Sequence, residues 1–425
     1  MTTAAAATTH YDRRLLALSV AVQLVLAWLF AHAYDARVSL TTGYLVATGH
    51  GPYSPLDLTA VFHHVGFGQL TTIGYPPPWP LVTGLLYKAT YALVPSLHLY
   101  DLALKLPVIA ATVGLAYLVA AALRRVGAQA QVCRRAWAFL LFNPLILFTG
   151  AGWGQIDVIV ALLAVAALVL VWRGRWASSA ALLALAVCAK PIALPVALVV
   201  LVWLAGRAPR EALRYAAVLV AWAAVFVVVP VAALGWRTTQ IRQRPNAQFL
   251  MTGGLSYTTV ARLVRDPLTL PGHWWLLGLL WVVALAAGLV LWRRGEGFVD
   301  LVRGSAALTL VFLLTRTWLA EPNVVLVLPL VLVLATLDEL DRRLLTALWL
   351  IPLLFAIANA APLQLLWLTF PDAWRSSVAA MGAHDDVLLP VRAALVVGWQ
   401  IAGWWTAAVC LRRERAPAPA VGAAT

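Results

Sequence analysis

Charge is scarce in this chain. Of 425 residues only 11% are charged and 63% are hydrophobic, against roughly 25% and 45–50% in soluble domains. That excludes a soluble globular protein, and no stretch reads as a separate soluble domain. Acids are scarcer than bases, 17 against 31, and lysine occurs only three times. Cysteine is confined to Cys133, Cys188 and Cys410. No two form a CxxC pair, so neither a disulfide framework nor a metal site is implied. There is no Walker A loop, no GxGxxG, no zinc-ligand spacing and no Ser-His-Asp pattern. A soluble-cofactor enzyme is therefore not expected, and neither a cofactor nor a metal is assigned.

What the chain has instead is a series of apolar runs near 20 residues long, separated by short Arg-rich loops. A run of that length spans a bilayer core. The net charge of +14 does not point to nucleic acid. The arginines sit between spans, where the positive-inside bias places them, and some can meet anionic lipid head groups. Near the N-terminus, Arg13-Arg14, an apolar run to Phe30 and Ala31-His32-Ala33 resemble a signal peptide with its cleavage site. The run is about 17 residues, longer than a typical h-region of roughly 7–15, so it reads as an uncleaved first span.

The basic clusters predict an all-α polytopic membrane protein of about twelve transmembrane helices, with both termini in the cytoplasm. The spans fall at about 15–33, 103–123, 136–151, 157–172, two within 177–205 broken at Lys190-Pro191, then 215–234, 273–292, 303–318, 323–337, 344–366 and 388–411. A long first outer loop covers 34–102, and residues 79–95 within it read as a helix in the outer interface. If that segment crossed, the Arg124–Arg135 cluster would face outward. The expected organisation is an N-terminal module over 1–206, C-terminal transmembrane helices over 207–415 with outer loops at 235–272 and 367–387, and a disordered Ala/Pro-rich tail at 416–425.

This topology brings the polar residues of interest to one face. Asp157 ends Gly152-Trp153-Gly154-Gln155-Ile156-Asp157 and opens an apolar span. A carboxylate there is costly and marks a functional candidate, although Asp is also a favoured helix N-cap. Asp35, in Tyr34-Asp35-Ala36-Arg37, either pairs with Arg37 at the interface or serves as a general base. Lys190 stands in an almost wholly apolar run, either snorkelling or presenting a point charge to a phosphate. Glu321 either pairs with Arg316 or completes the outer cleft, holding a hydroxyl or a metal. The loop carrying Arg237, Arg242, Arg244 and Gln248 is either solvated or orders over a lipid phosphate, with Arg244 the candidate ligand. Asp57, His63, His64, Asn323, His384, Asp385 and Asp386 also fall on this face.

Taken together these residues resemble the GT-C class of integral-membrane glycosyltransferases, in particular the bacterial polyprenyl-phosphate-mannose-dependent mannosyltransferases and their glycosylphosphatidylinositol-building relatives. Tyr34-Asp35 ends the first span. Gly49-His50-Gly51-Pro52-Tyr53 is similar to a Gly-x-x-Pro-Tyr element and Tyr75-Pro76-Pro77-Pro78 to a Tyr-x-Pro-Pro element. Asn143-Pro144 through Gln155-Ile156-Asp157 resembles an Asn-Pro…Gly-Gln-x-Asp stretch, and Ala189-Lys190-Pro191 the lysine that follows. The likeness is good over about 34–200 and weak beyond Arg207.

The resemblance implies a shared N-terminal module of about seven spans, with the active site on the extracytoplasmic face of the plasma membrane. It implies a polyprenyl-phosphate-linked sugar donor and inverting transfer of a hexose, mannose in the nearest families, to a glycolipid, polysaccharide or protein. Asp35 maps to the base, Asp157 to the second acid and Lys190 to the phosphate ligand. Gln155, Tyr34, Arg37, Tyr75, Glu321, Arg316 and Arg244 complete the expected substrate contacts. Many GT-C members carry an Asp-x-Asp pair in the first loop. Here Asp35 stands alone, which argues against a metal. The competing expectations are a transporter or flippase for a lipid-linked or small polar solute, and a non-catalytic scaffold. A transporter would place its polar residues near the bilayer midplane, often between inverted repeats, and neither feature is visible. Oligomeric state, lipid length and acceptor identity are not legible.

Overall fold

The computed structural model describes residues 11–53, 61–62, 75–236, 252–264, 275–292, 295, 297–359 and 361–412. Helix α1 (Arg13–Leu29) begins where the Asp12 side chain accepts the N–H groups of Arg14 and Leu15. Those are donors that a helix start leaves open. The helix ends short of the expected residue 33. After Phe30 the chain turns by 83° into α2 (Ala33–Ala47). His32 sets the turn, its ring Nδ1 accepting the N–H of Asp35 as an N-cap. With α1 crossing a bilayer, α2 runs along its surface, and Asp35 lies outside the spanning segments.

Helix α3 (Pro78–Ala89) packs against α2. Its 12 residues reach only about 18 Å, short of the roughly 30 Å hydrocarbon core. By length α3 falls short of a full span, in keeping with the interfacial placement expected for 79–95.

Helix α4 (Leu97–Arg125) starts at a Ser96 cap, and α5 (Ala130–Phe142) follows. Pro144 has no N–H to continue α5. Asn143 instead caps a new turn, accepting from Leu145 and Ile146, and the chain passes into a π-helical turn at Phe148–Gly152. Such turns recur at functional sites. Then come α6 (Asp157–Trp172), α7 (Trp176–Ala189) and α8 (Leu194–Ala205). The break after α7 follows from Pro191. A residue before proline avoids the helical region, and Lys190 is extended at φ −153°, ψ 120°.

The second half comprises α9 (Pro209–Ala233), α10 (Leu280–Leu291), α11 (Phe298–Leu314), α12 (Leu328–Thr336), α13 (Arg342–Ala358), α14 (Pro371–Ala383) and α15 (Asp385–Leu411). Among the described residues, α4, α5 extended to Gly152, α9 and α15 are long and apolar enough to cross a bilayer singly. The bent α1–α2 pair is a fifth candidate, and five shorter apolar helices pack among them. Helices α11 and α12, with the 3₁₀ segment Glu321–Leu326 between them, form the buried centre. Helix α9 buries only Ala212 and Tyr215 and turns Val220, Trp222, Val225, Val228 and Val229 outward, as a lipid-facing helix does.

Two loops meet in a short parallel pairing of β1 (Gly253–Gly254) with β2 (Trp318–Leu319). Gly254 sits at φ +62°, and a Cβ there would come within 2.1 Å of the Leu319 carbonyl oxygen. Only glycine fits. The pairing holds the loop that leads into Glu321.

Candidate active site

Three breaks in regular helix converge: the α1–α2 turn, the segment between the π turn and α6, and the α7–α8 break at Lys190. Asp35 stands in the first turn of α2. Its Oδ2 accepts Trp153 Nε1–H at 2.5 Å and Gln155 Nε2–H at 3.0 Å. His32 Nδ1 lies 3.1 Å from the same oxygen, and its ring stacks on Trp153 at 4.2 Å between centroids. A neutral imidazole uses Nδ1 to cap the Asp35 N–H, whereas a protonated one can donate to the Asp35 carboxylate. Burial pushes the Asp35 carboxyl up, but His32, the Trp153 N–H and Lys190 together hold it below its ordinary value.

Gln155 connects the base to a cation. Its amide nitrogen serves Asp35, while Oε1 accepts Tyr75 O–H at 3.2 Å and faces Lys190 Nζ at 3.5 Å. The reverse amide orientation would set an NH₂ group against the ammonium. Tyr75 is itself held by Tyr53, whose hydroxyl donates to the Tyr75 carbonyl. Burial, with Asp35 and Asp157 nearby, keeps the Tyr75 phenol protonated well above its ordinary range, so it is a donor.

Lys190 Nζ lies 2.6 Å from Asp157 Oδ2, and Asn323 Nδ2 donates to Asp157 Oδ1 at 3.1 Å. The N-cap of α6 is Ile156 and no side chain caps that helix. Asp157 therefore spends both oxygens on side chains from other elements rather than on its own helix end, which corrects the capping reading. Exposure separates the two acids. The Asp35 side chain is 29% exposed, Lys190 14% and Asp157 1%. A substrate can reach the first two but not the third.

Of the residues singled out in the sequence, Asp35, Gln155, Tyr75, Lys190 and Asp157 form one hydrogen-bonded chain. Glu321 is buried and accepts from Asn359 Nδ2 at 3.2 Å. Arg316 lies over the Phe312 ring and does not supply the Glu321 partner. Arg37 donates to the Ala33 carbonyl and lies over Trp367, rather than meeting Asp35. Tyr34 is half exposed on the first turn of α2. Arg244, with Arg237, Arg242, Gln248, Asp57, His63 and His64, lies outside the described residues. Trp153, His32 and Asn359 are site members that were not expected from the sequence. The Trp153 position inside the Gly-Trp-Gly-Gln stretch was the available signal.

Apolar membrane helices, a long first loop and charged side chains gathered at helix breaks agree with the GT-C class of membrane glycosyltransferases that the motifs resemble. The chain belongs to glycosyltransferase family 87, whose model matches residues 73–322. Crystal structures of ArnT from Cupriavidus metallidurans are similar at 16% identity, covering 94% of this chain and 76% of that one. The TM-score is 0.51 for the apo state and 0.49 for the form bound to undecaprenyl phosphate. At that identity the likeness is one of fold. Among curated proteins no sequence matches. The chain is thus a multi-pass membrane glycosyltransferase rather than a transporter.

Proposed function

We propose that this glycosyltransferase moves a hexose, with mannose the first candidate, from a polyprenyl-phosphate donor to an acceptor hydroxyl outside the plasma membrane. The observation that carries the reading is the Asp35–Gln155–Lys190 chain, which sets a reachable carboxylate and a reachable ammonium on the two ends of one amide. Asp35 takes the proton of the acceptor hydroxyl, whose oxygen attacks the anomeric carbon. The bond from that carbon to the phosphate oxygen breaks, and its electron pair leaves on polyprenyl phosphate, which gains one negative charge. Lys190 offsets that charge. An ammonium has three donors, so one remains for phosphate beyond those facing Asp157 and Gln155. Asp157, unreachable, keeps Lys190 charged and aimed.

The polyprenyl-phosphate donor and the outward orientation are supported by the motif resemblance and by the Arg-rich loops at the opposite helix ends. The module over 1–206 supplies Asp35, Gln155, Asp157 and Lys190, and the helices over 207–415 add Asn323, Glu321 and Asn359. Acceptor choice is assigned to this second part, in a glycolipid, polysaccharide or protein. The test is transfer of radiolabelled mannose from polyprenyl-phosphate-mannose in membranes carrying wild type or Asp35→Asn, with glucose and arabinose counterparts in parallel. Label should enter lipid or polymer with wild type alone. Full turnover by Asp35→Asn would remove Asp35 as base, and no transfer from any of the three donors would remove the donor class.

A further inference from the structure

One ionised group at the heart of the molecule takes no part in the mechanism above. Lys105, on α4, is fully buried. Its Nζ lies 2.5 Å from Asp101 Oδ2, one turn earlier on the same helix. It also donates to the Phe30 carbonyl and, at 3.4 Å, to the Ala27 carbonyl. Those two carbonyls belong to the last turn of α1 and to the break that follows it. A helix end leaves such acceptors without partners, and here a cation satisfies them at the point where the chain turns by 83° toward His32 and Asp35.

The stem of Lys105 meets a second loop. Gly154 is at φ +87°, and a Cβ there would stand 3.1 Å from Lys105 Cε and 3.4 Å from Cγ. The backbone between Trp153 and Gln155 therefore rests on the lysine's methylenes. One turn further along α4, Ile109 is buried with Ala27 of α1 and Ala151 of the π turn. Lys105 and Ile109 thus present one face of α4 to both loops at once. One of those loops leads directly into the first turn of α2, where Asp35 stands, and the other carries the two donors that bind its Oδ2.

We propose that Lys105 is a positioning residue for Asp35, fixing the α1–α2 turn and the Trp153–Gln155 loop against each other. The proposal rests on the reading of Asp35 as base. Lys105 touches no reacting group. It sets the register in which the Asp35 carboxylate meets Trp153 Nε1–H and Gln155 Nε2–H.

The test compares Asp101→Asn, Lys105→Met and the double variant Lys105→Met/Asp101→Asn in the full-length chain in membranes, by donor-saturated turnover, KM, pH–rate profile and thermal midpoint. Lys105→Met alone leaves Asp101 buried without its partner and can fail to fold. The double variant removes both charges and should keep a midpoint near wild type. Its turnover should nevertheless fall by about a hundredfold, as expected for a displacement near 1 Å, with KM for the donor little changed. The acid limb of its profile should move to higher pH, because Asp35 loses the donors that hold its proton affinity down. Asp101→Asn, which retains the bonds to the two carbonyls, should stay near wild-type turnover. A stable double variant with wild-type turnover and an unmoved limb overturns the proposal. So does a double variant that fails to accumulate, which assigns Lys105 to folding. Failure of the base reading shows separately, as turnover by Asp35→Asn, while the loss of turnover in the double variant still decides whether Lys105 positions the site.

Discussion

At the scale of single residues, the site is a matter of which charges have company. Asp35 has three partners that favour its ionised form, so it stays a carboxylate at neutral pH despite burial. In the proposed role of base, a protonated Asp35 cannot take the acceptor proton. Activity is therefore present above its pKa and lost below it. Replacing His32 with Asn removes the strongest of the lowering influences and raises that pKa, so the acid limb of kcat/KM should move to higher pH. A limb that stays in place would mean another group governs it. Gln155→Leu removes the amide that donates to Asp35 and accepts from Tyr75 and Lys190; the bond to the Asp35 carboxylate alone is worth about 1.5–3 kcal/mol. Turnover should drop roughly ten- to a hundredfold, with the thermal midpoint nearly unchanged. Asp157, Lys190 and Asp35 were legible in the sequence because a charge in an apolar surrounding is costly and therefore conspicuous. Trp153 was not, since an interfacial tryptophan usually serves as an anchor. Lys105 was hidden in the same way, inside a run counted only as a span.

Elements were legible where proline or a capping side chain marked their ends. The break at Lys190-Pro191 was expected from the sequence, whereas the restart at Asn143-Pro144 falls inside the span expected at 136–151 and was missed there, although Pro144 was the available signal. The turn at Phe30–His32 has no such signal, because it contains neither glycine nor proline and is held by bonds from α4 and by a histidine cap. The loop pairing of β1 with β2 was equally invisible, being two residues long. It offers a clean perturbation. Gly254→Ala places a Cβ against the Leu319 carbonyl at a left-handed φ, costing about 1–3 kcal/mol. The pairing should open and free the segment before Glu321. Transfer should weaken while the helices stay assembled, as read by size-exclusion elution and a midpoint only a few degrees lower. A variant indistinguishable from wild type in both readouts would show that the pairing does not govern Glu321.

For the whole molecule, the orientation proposed above rests on the arrangement of arginines. Asp372 and Asp338 are both highly exposed; Asp372 lies in the first turn of α14, expected on the outer face, and Asp338 between α12 and α13, expected on the inner one. In intact cells, an impermeant maleimide should label Asp372→Cys and spare Asp338→Cys, with little background because Cys133, Cys188 and Cys410 are buried. The reverse pattern would invert the molecule and place the site in the cytoplasm.

The Asp157 partners lie far apart in the chain. Lys190 follows it by 33 positions, but Asn323 follows by 166. At roughly 5–20 residues per second of synthesis, the acid waits about ten to thirty seconds for its second hydrogen bond. During that interval the growing chain holds a half-satisfied carboxylate beside newly inserted helices. Lys190, synthesised first, gives the carboxylate a partner before Asn323 exists. The order of synthesis thus matches the order of need: the charge pair can form before the neutral hydrogen bond that completes it.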